Sequence, residues 1–338
     1  MPVIFVDLPV ERARLLNLAL NRISGDWDEE LLARLLADLQ TVPDLDLSLS
    51  GFGDDELKKL LKSLDHREKR DRPETFDLEK ALEDAGKAPT RSAPGDIWQL
   101  GDHRLACADS TDGAAVERLL GGQRAQMAFC DPPYNVDYGN HGGQQRGSRK
   151  RTIANDALPP EQWAIFVRGW MGNLLSSVDG AIYIAMSSSE MHTVRAIFDE
   201  LGGHWSDYIV WDKSPRFTLG RADLQRSYEM LMYCWREGAK HYWCGDRDQG
   251  DVWRIARPSV SELHPTQKPL ELVEHAIENS SRPGDIVLDL FLGSGTTLIS
   301  AHRTDRVCYA AELDARYVDI AVARWESISG QEARKEPA

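Results

Sequence analysis

Residues 286 to 297 read Ile286-Val287-Leu288-Asp289-Leu290-Phe291-Leu292-Gly293-Ser294-Gly295-Thr296-Thr297. An apolar, β-branched run ends in a carboxylate, passes two glycines and enters a segment, 296–304, with helical apolar spacing. Strand, glycine turn and helix in that order predict one unit of a doubly wound α/β sheet. Such a turn gathers backbone amides at a helix N-terminus, where a ligand can approach closely. The loop is neither a Walker phosphate loop, since no lysine follows the glycines, nor the dinucleotide pattern, since the third glycine is missing. The next strand, 307–311, delivers Glu312 to the same edge, where a carboxylate can hold ribose hydroxyls. An adenosine-containing ligand is the expectation.

Outward from there, short β-rich runs alternate with amphipathic segments. Strands are expected at 103–107, 127–129, 181–185, 207–211, 230–234, 286–290 and 307–311, and helices at 160–176, 188–201, 269–280, 296–304 and 314–327. A second strand end stands out: Met127-Ala128-Phe129-Cys130 runs into Asp131-Pro132-Pro133-Tyr134. Ligands bind at the carboxyl edge of open α/β sheets. There Asp131 and the Pro132 carbonyl can accept both hydrogens of a planar amino group, Tyr134 offers a stacking face, and the prolines hold the backbone in place beforehand. The same four residues also make an ordinary strand-to-turn exit. Cys130 beside them reads as core rather than as a nucleophile.

Upstream, leucines at helical spacing over residues 9–40 predict a helical hairpin, and a short helix follows at 53–63. The sequence from 86 to 95 has linker character, so the chain divides into a helical segment, 1–85, a linker, 86–95, an α/β domain, 96–330, and a tail, 331–338.

Composition narrows the classes. With 42% hydrophobic residues the chain can bury a normal core, and no run approaches the ~18 apolar residues of a membrane span. The N-terminus lacks the plan of a signal peptide, which predicts a cytoplasmic protein. Five scattered cysteines without C-x-x-C spacing predict buried, reduced thiols and no zinc site. A net charge of −14 counts against a nucleic-acid partner, but much of the acid lies in the first ninety residues. Arg146, Arg149, Lys150 and Arg151 form a local basic run, and Lys213, Arg216, Arg221 and Arg226 form a looser one. Taken alone, such runs read as a solvated surface sooner than as a phosphate-binding one.

Taken together, these elements resemble the amino-methylating DNA methyltransferases of the permuted beta group, in which the DPPY element precedes the cofactor loop. The resemblance covers roughly residues 95 to 327. It rests on Asp131–Tyr134 and Asp289–Thr297, on Cys107-Ala108-Asp109, Trp211-Asp212-Lys213 and Tyr228-Glu229, and on His264-Pro265-Thr266-Gln267-Lys268-Pro269. It implies a Rossmann-like fold, S-adenosylmethionine as cofactor, and direct transfer to the amino group of a base flipped out of double-stranded DNA. Asp131, Pro132, Pro133 and Tyr134 would then be catalytic. Asp289, Phe291, Gly293, Ser294, Gly295, Thr296 and Thr297 would surround the methionine end of the cofactor and Glu312 its ribose. Asp109 would face its adenine, with Thr266 and Lys268 near its carboxylate; the lesser alternatives are that Asp109 caps the following helix and that Lys268 is a surface charge.

The resemblance further implies that residues 135–158 form a mobile loop closing over DNA and that 213–262 hold part of the target-recognition surface, with Arg216, Arg221, Tyr242, Trp243 and Trp253 as contacts. Buried-core use of the tryptophans is an equal alternative. Asp131 followed by Asn135 favours adenine N6 over cytosine N4. Members of the group often dimerise and some accompany a restriction endonuclease; neither is readable here. The first thirty residues resemble the tail of ParB-like domains fused ahead of prophage-type methyltransferases, which suggests a vestigial helical appendage or an interaction surface. Two rivals stay open: methylation of RNA or a protein amide, where the cofactor loop normally comes first, and a non-catalytic DNA-binding protein.

Overall fold

Leucines at helical spacing build the amino-terminal unit, residues 1–73. Its helices α1 (Val10–Asn21) and α2 (Glu29–Gln40) bury Leu15, Leu18, Leu32, Leu36 and Leu39, with Leu57, in a core of their own. The computed structural model describes residues 7–21, 29–43, 45–53, 55–58, 60–61, 74–137, 154–213, 223–224, 227–256 and 268–337.

The second unit, residues 74–338, opens with α3 (Leu78–Asp84), which Asp77 caps through the Lys80 amide. Then follow β1 (Ile97–Leu100), β2 (His103–Cys107), α4 (Gly113–Leu120), β3 (Ala125–Cys130), α5 (Pro160–Ser177), β4 (Val178–Met186), α6 (Met191–Glu200) and β5 (Gly203–Asp212). The chain continues through β6 (Tyr228–Arg236), β7 (Val252–Arg254), α7 (Leu270–Ser280), β8 (Ile286–Asp289), α8 (Thr296–Arg303), β9 (Val307–Glu312), α9 (Ala315–Ser329) and β10 (Arg334–Lys335).

All strands join one sheet in the order β10-β1-β2-β9-β8-β3-β4-β6-β5-β7. The central run from β2 to β4 is parallel, while β1, β6 and β10 pair antiparallel. Parallel strands covered on both faces should be apolar throughout, and every residue of β8 is buried. One face packs on α4, α5 and α6, the other on α7, α8 and α9. Among the described residues no helix is long and apolar enough to cross a membrane.

The doubly wound sheet is as expected, and the differences have local causes. β1, β7 and α4 escape a periodicity reading because they are short. β5 begins at Gly203 and not at 207 because β6 pairs with it from Gly203 onward, with a register shift between Trp205 and Asp207 where exposed Ser206 interrupts the pattern. Residues 331–338, read as a tail, contribute β10: Ala333 is buried and Arg104 grips Glu336. The 86–95 stretch, read as a linker, carries no helix or strand, yet Asp319 of α9 accepts bonds from the amides of Arg91 and Ser92. The two units divide between Pro73 and Glu74, upstream of that stretch. Cys244 is exposed, unlike the other four cysteines, which are buried as expected.

Candidate active site

Register places the chemistry. β8 pairs with β9 so that Asp289 lies opposite Ala310, and β9 with β2 so that Glu312 lies opposite Cys107. β3 pairs with β8 on the other side, and its last residue, Cys130, precedes Asp131. Asp109, Glu312, Asp289 and Asp131 therefore emerge side by side at the carboxyl ends of four neighbouring parallel strands. They line one cleft of about 940 Å³, together with Pro132, Pro133, Tyr134, Phe291, Gly293, Ser294, Thr296, Thr297, Lys213, Glu229 and Lys268. That volume is in the range of small-molecule sites, roughly 300 to 1,000 Å³.

On the β8–β9 side the glycine loop is tightly built. Gly293 and Gly295 have φ of 56° and 94°, in the left-handed region that glycine tolerates. Asp289 takes the Phe291 amide at 2.9 Å, and Glu312 takes the amides of Gly293 and Asp314, each at 2.8 Å. Burial pushes the Asp289 carboxyl up to about 7, against the pull of Thr297 and the Phe291 amide. Burial raises Glu312 as well. Phe291 packs edge-on against Trp170, with centroids 5.4 Å apart. Asp109 is exposed to the cleft, and one of its oxygens takes the amide and hydroxyl of Thr111; the cap of α4 is Asp112.

On the β3 side lies a part-buried charge cluster, its two lysines buried and its two carboxylates half-buried, that sequence reasoning missed. Tyr134 donates its hydroxyl to Asp131 Oδ1 at 2.8 Å, and Lys268 donates to Asp131 Oδ2 at 2.7 Å and to the Tyr134 oxygen at 2.9 Å. Lys268 also lies 3.2 Å from Glu229, whose other oxygen takes Lys213 at 3.0 Å. Two ammonium groups thus face two carboxylates, the composition a buried cluster needs to stay charged. Burial lifts the Asp131 carboxyl above the ordinary aspartate range, opposed by Lys268. Burial works against the charge on Lys268, but Asp131 and Glu229 outweigh it and leave its pKa above that of an ordinary lysine.

The other expected site residues take these places in the fold. Lys268, expected near a cofactor carboxylate, lines the cleft with its ammonium on Asp131 and Glu229. Lys213, grouped with DNA-facing cations, is only 5% exposed and belongs to the same cluster. Trp253 is core: it is buried and packs on His275 at 4.4 Å. Asn135, expected as a hint of base preference, has its carboxamide bonded to both main-chain groups of Leu158. Cys130 is fully buried, and burial pushes its thiol well up, away from nucleophilic use. Arg146, Arg149, Lys150, Arg151, Arg216, Arg221 and Thr266 lie outside the described residues. Glu229 was noted only as part of a motif; a lone acid opening an otherwise apolar strand was the available clue.

The profile of a family described as DNA methylase matches residues 125–323, more than half of the chain and the whole of this edge from β3 to β9. The chain belongs to that DNA methylase family. A second profile, the ParB-methyltransferase HTH domain, matches residues 30–94 of this methylase, further along than the residues that first suggested ParB. Among curated relatives, the Type II methyltransferase M2.DpnII of Streptococcus pneumoniae is 29% identical over 221 residues, 60% of the methylase and 82% of the relative. M2.LlaDCHI of Lactococcus lactis subsp. cremoris, also a Type II methyltransferase, is 28% identical over 217 residues, 59% and 81% of the two chains. Two solved structures share the fold, each at a TM-score of 0.50. One is an M1.HpyAVI–SAM complex, 21% identical, covering 65% of the methylase and 97% of that chain. The other is the cytosine-N4-specific PvuII DNA methyltransferase, 14% identical, covering 72% and 98%.

Proposed function

We propose that this methylase transfers a methyl group from S-adenosylmethionine to the exocyclic amino group of a base in double-stranded DNA, with adenine N6 as acceptor. The observation that carries the reading is the convergence of Asp131, Asp289 and Glu312 on one cleft from adjacent strand ends. The donor set suits such a cofactor: a glycine loop at the N-terminus of α8 for close approach, and two strand-end carboxylates to accept from hydroxyl and ammonium groups. Residues Asp289 to Thr297 would hold the methionine end, Glu312 the ribose and Asp109 the adenine. When bound, the cofactor supplies an electrophilic methyl group on a sulfonium.

The chain's own part is to make a poor nucleophile better. An exocyclic amino nitrogen has its lone pair conjugated with the ring, so acceptors that draw both hydrogens out of plane favour attack. Asp131 and the Pro132 carbonyl are those acceptors, and the Tyr134 ring is the stacking face. Lys268 keeps Asp131 ionised in a buried setting. The nitrogen that gains a methyl loses a proton, and Asp131 is the base that receives it. Adenine is favoured by aspartate at the first position of the tetrapeptide; Asn135 adds nothing, since its carboxamide is taken up by the main chain of Leu158.

The test is labelled methyl transfer from S-adenosylmethionine to DNA, RNA and protein in parallel, followed by nucleoside analysis of the DNA. N6-methyladenine is expected. N4-methylcytosine alone would overturn the base assignment, and label confined to RNA or protein would overturn the DNA reading.

A further inference from the structure

Arg324, about one and a half turns before the end of α9, is 1% exposed and carries no part of any motif discussed above. Its guanidinium makes two connections. Nη1 donates to the carbonyl of Ser294 at 3.0 Å, between the two left-handed glycines of the cofactor loop. Nε and Nη2 form a two-pronged bond with the Glu74 carboxylate, at 2.5 and 2.8 Å. The loop rests directly on this part of α9: a Cβ built on Gly295 would lie 3.2 Å from that of Ala321 and 4.0 Å from Arg324 Cδ. One side of the loop is thus held by Glu312 through the Gly293 amide, and the back by Arg324 through the Ser294 carbonyl.

Glu74 is the first residue of the sheet-bearing unit and falls within residues 30–94, the span matched by the ParB-methyltransferase HTH profile. The segment after it is fastened to the same helix, with Asp319 gripping Arg91 and Ser92. A two-pronged charged bond orients a guanidinium far more sharply than a single contact does. Without its carboxylate, the buried Arg324 would have to seek another acceptor or admit water, and its bond to Ser294 would no longer be fixed in direction.

We propose that Glu74 and Arg324 are positioning residues for the cofactor: their ion pair sets the shape of the glycine loop from behind, so that a residue from the ParB-methyltransferase HTH segment tunes cofactor affinity. This rests on the reading that the loop holds S-adenosylmethionine. The pair touches neither Asp131 nor the base side of the cleft, so its effect falls on cofactor binding and not on the methyl-transfer step.

The experiment is calorimetric titration of the full chain with S-adenosylmethionine, alongside steady-state kinetics and thermal melting. It compares wild type with Glu74→Gln and with Glu274→Gln, which breaks another buried ion pair, Glu274–Arg303, that does not touch the loop. Glu74→Gln should weaken cofactor binding roughly tenfold, with kcat at saturating cofactor and KM for DNA near wild type. Glu274→Gln should lower Tm but leave cofactor Kd within twofold. If Glu74→Gln does not fold, Glu74→Asp, which keeps the charge but withdraws it by one methylene, stands in with the same outcomes. Unchanged Kd in the Glu74 variant, or Kd losses in both variants that simply follow Tm, would overturn the proposal. A wild-type chain that takes up no S-adenosylmethionine, yet still melts cooperatively, would instead overturn the cofactor reading and this inference with it.

Discussion

The ammonium of Lys268 lies 2.7 Å from Asp131 Oδ2 and 3.2 Å from Glu229, so one buried cation serves both carboxylates at the mouth of β3. Tyr134 and Lys213 complete the surroundings of that cluster. Asp131 must be ionised to accept from a base amino group, and burial already raises its pKa against the pull of Lys268. Lys268→Met removes the opposing charge, so the pKa rises further and the carboxylate is lost at higher pH as acid is added. The acidic limb of kcat/KM against pH should therefore move to higher pH. A limb that stays where it is in wild type would show that Lys268 does not govern the ionisation used in catalysis.

Asp131→Ala should cost methyl transfer on the order of a hundredfold to a thousandfold, about 3 to 4 kcal/mol, by analogy with loss of one preorganised catalytic hydrogen-bonding group. Folding should survive, because Lys268 retains Glu229 as a partner. Single-turnover label transfer with cofactor affinity measured in parallel checks both halves. Near-normal transfer would remove Asp131 from the chemistry.

Tyr134 has two separable contributions. Its ring is the stacking face, while its hydroxyl donates to Asp131 and accepts from Lys268. Tyr134→Phe keeps the face and loses both bonds of the hydroxyl, each worth about 1 kcal/mol, while Lys268 still holds Asp131 directly, so a loss of roughly five- to thirtyfold in kcat is expected. Tyr134→Ala should lose far more. Equal damage in the two variants would mean that the hydroxyl and not the ring is what the reaction needs.

Asp289 links stability to pH. Its folded pKa of about 7 stands above the ordinary 3.8. Between those values the folded chain binds a proton that the unfolded chain has released, so stability falls as pH rises through that window and levels off above it. The whole shift corresponds to at most about 4 kcal/mol. Asp289→Asn should remove that slope, so urea unfolding at pH 5 and pH 8 should show a smaller drop in midpoint than in wild type. A variant that follows the wild-type pH dependence would mean that the buried carboxyl titrates normally.

What could be read from the chain itself was whatever depends on near neighbours. Val287 and Leu288 declare a covered strand, Gly293 and Gly295 a left-handed turn, and Asp131 to Tyr134 a rigid exit from β3, because periodicity, φ preference and proline geometry are set within a few residues. The fold class and the two strand ends of the cleft follow from those signals. Only the tertiary structure decided which charges do what. Lys213 reads as a surface cation and nothing near Lys268 in the chain points to Asp131 or Glu229, yet both lysines are buried in one cluster with those carboxylates. Arg324 and Glu74, separated by 250 positions, showed no sign of meeting behind the glycine loop. A lysine, arginine or glutamate is written identically whether water or an opposite charge neutralises it. Its partner is chosen by the packing of distant strands and helices, which bring the charges together and exclude the solvent that would otherwise keep them apart.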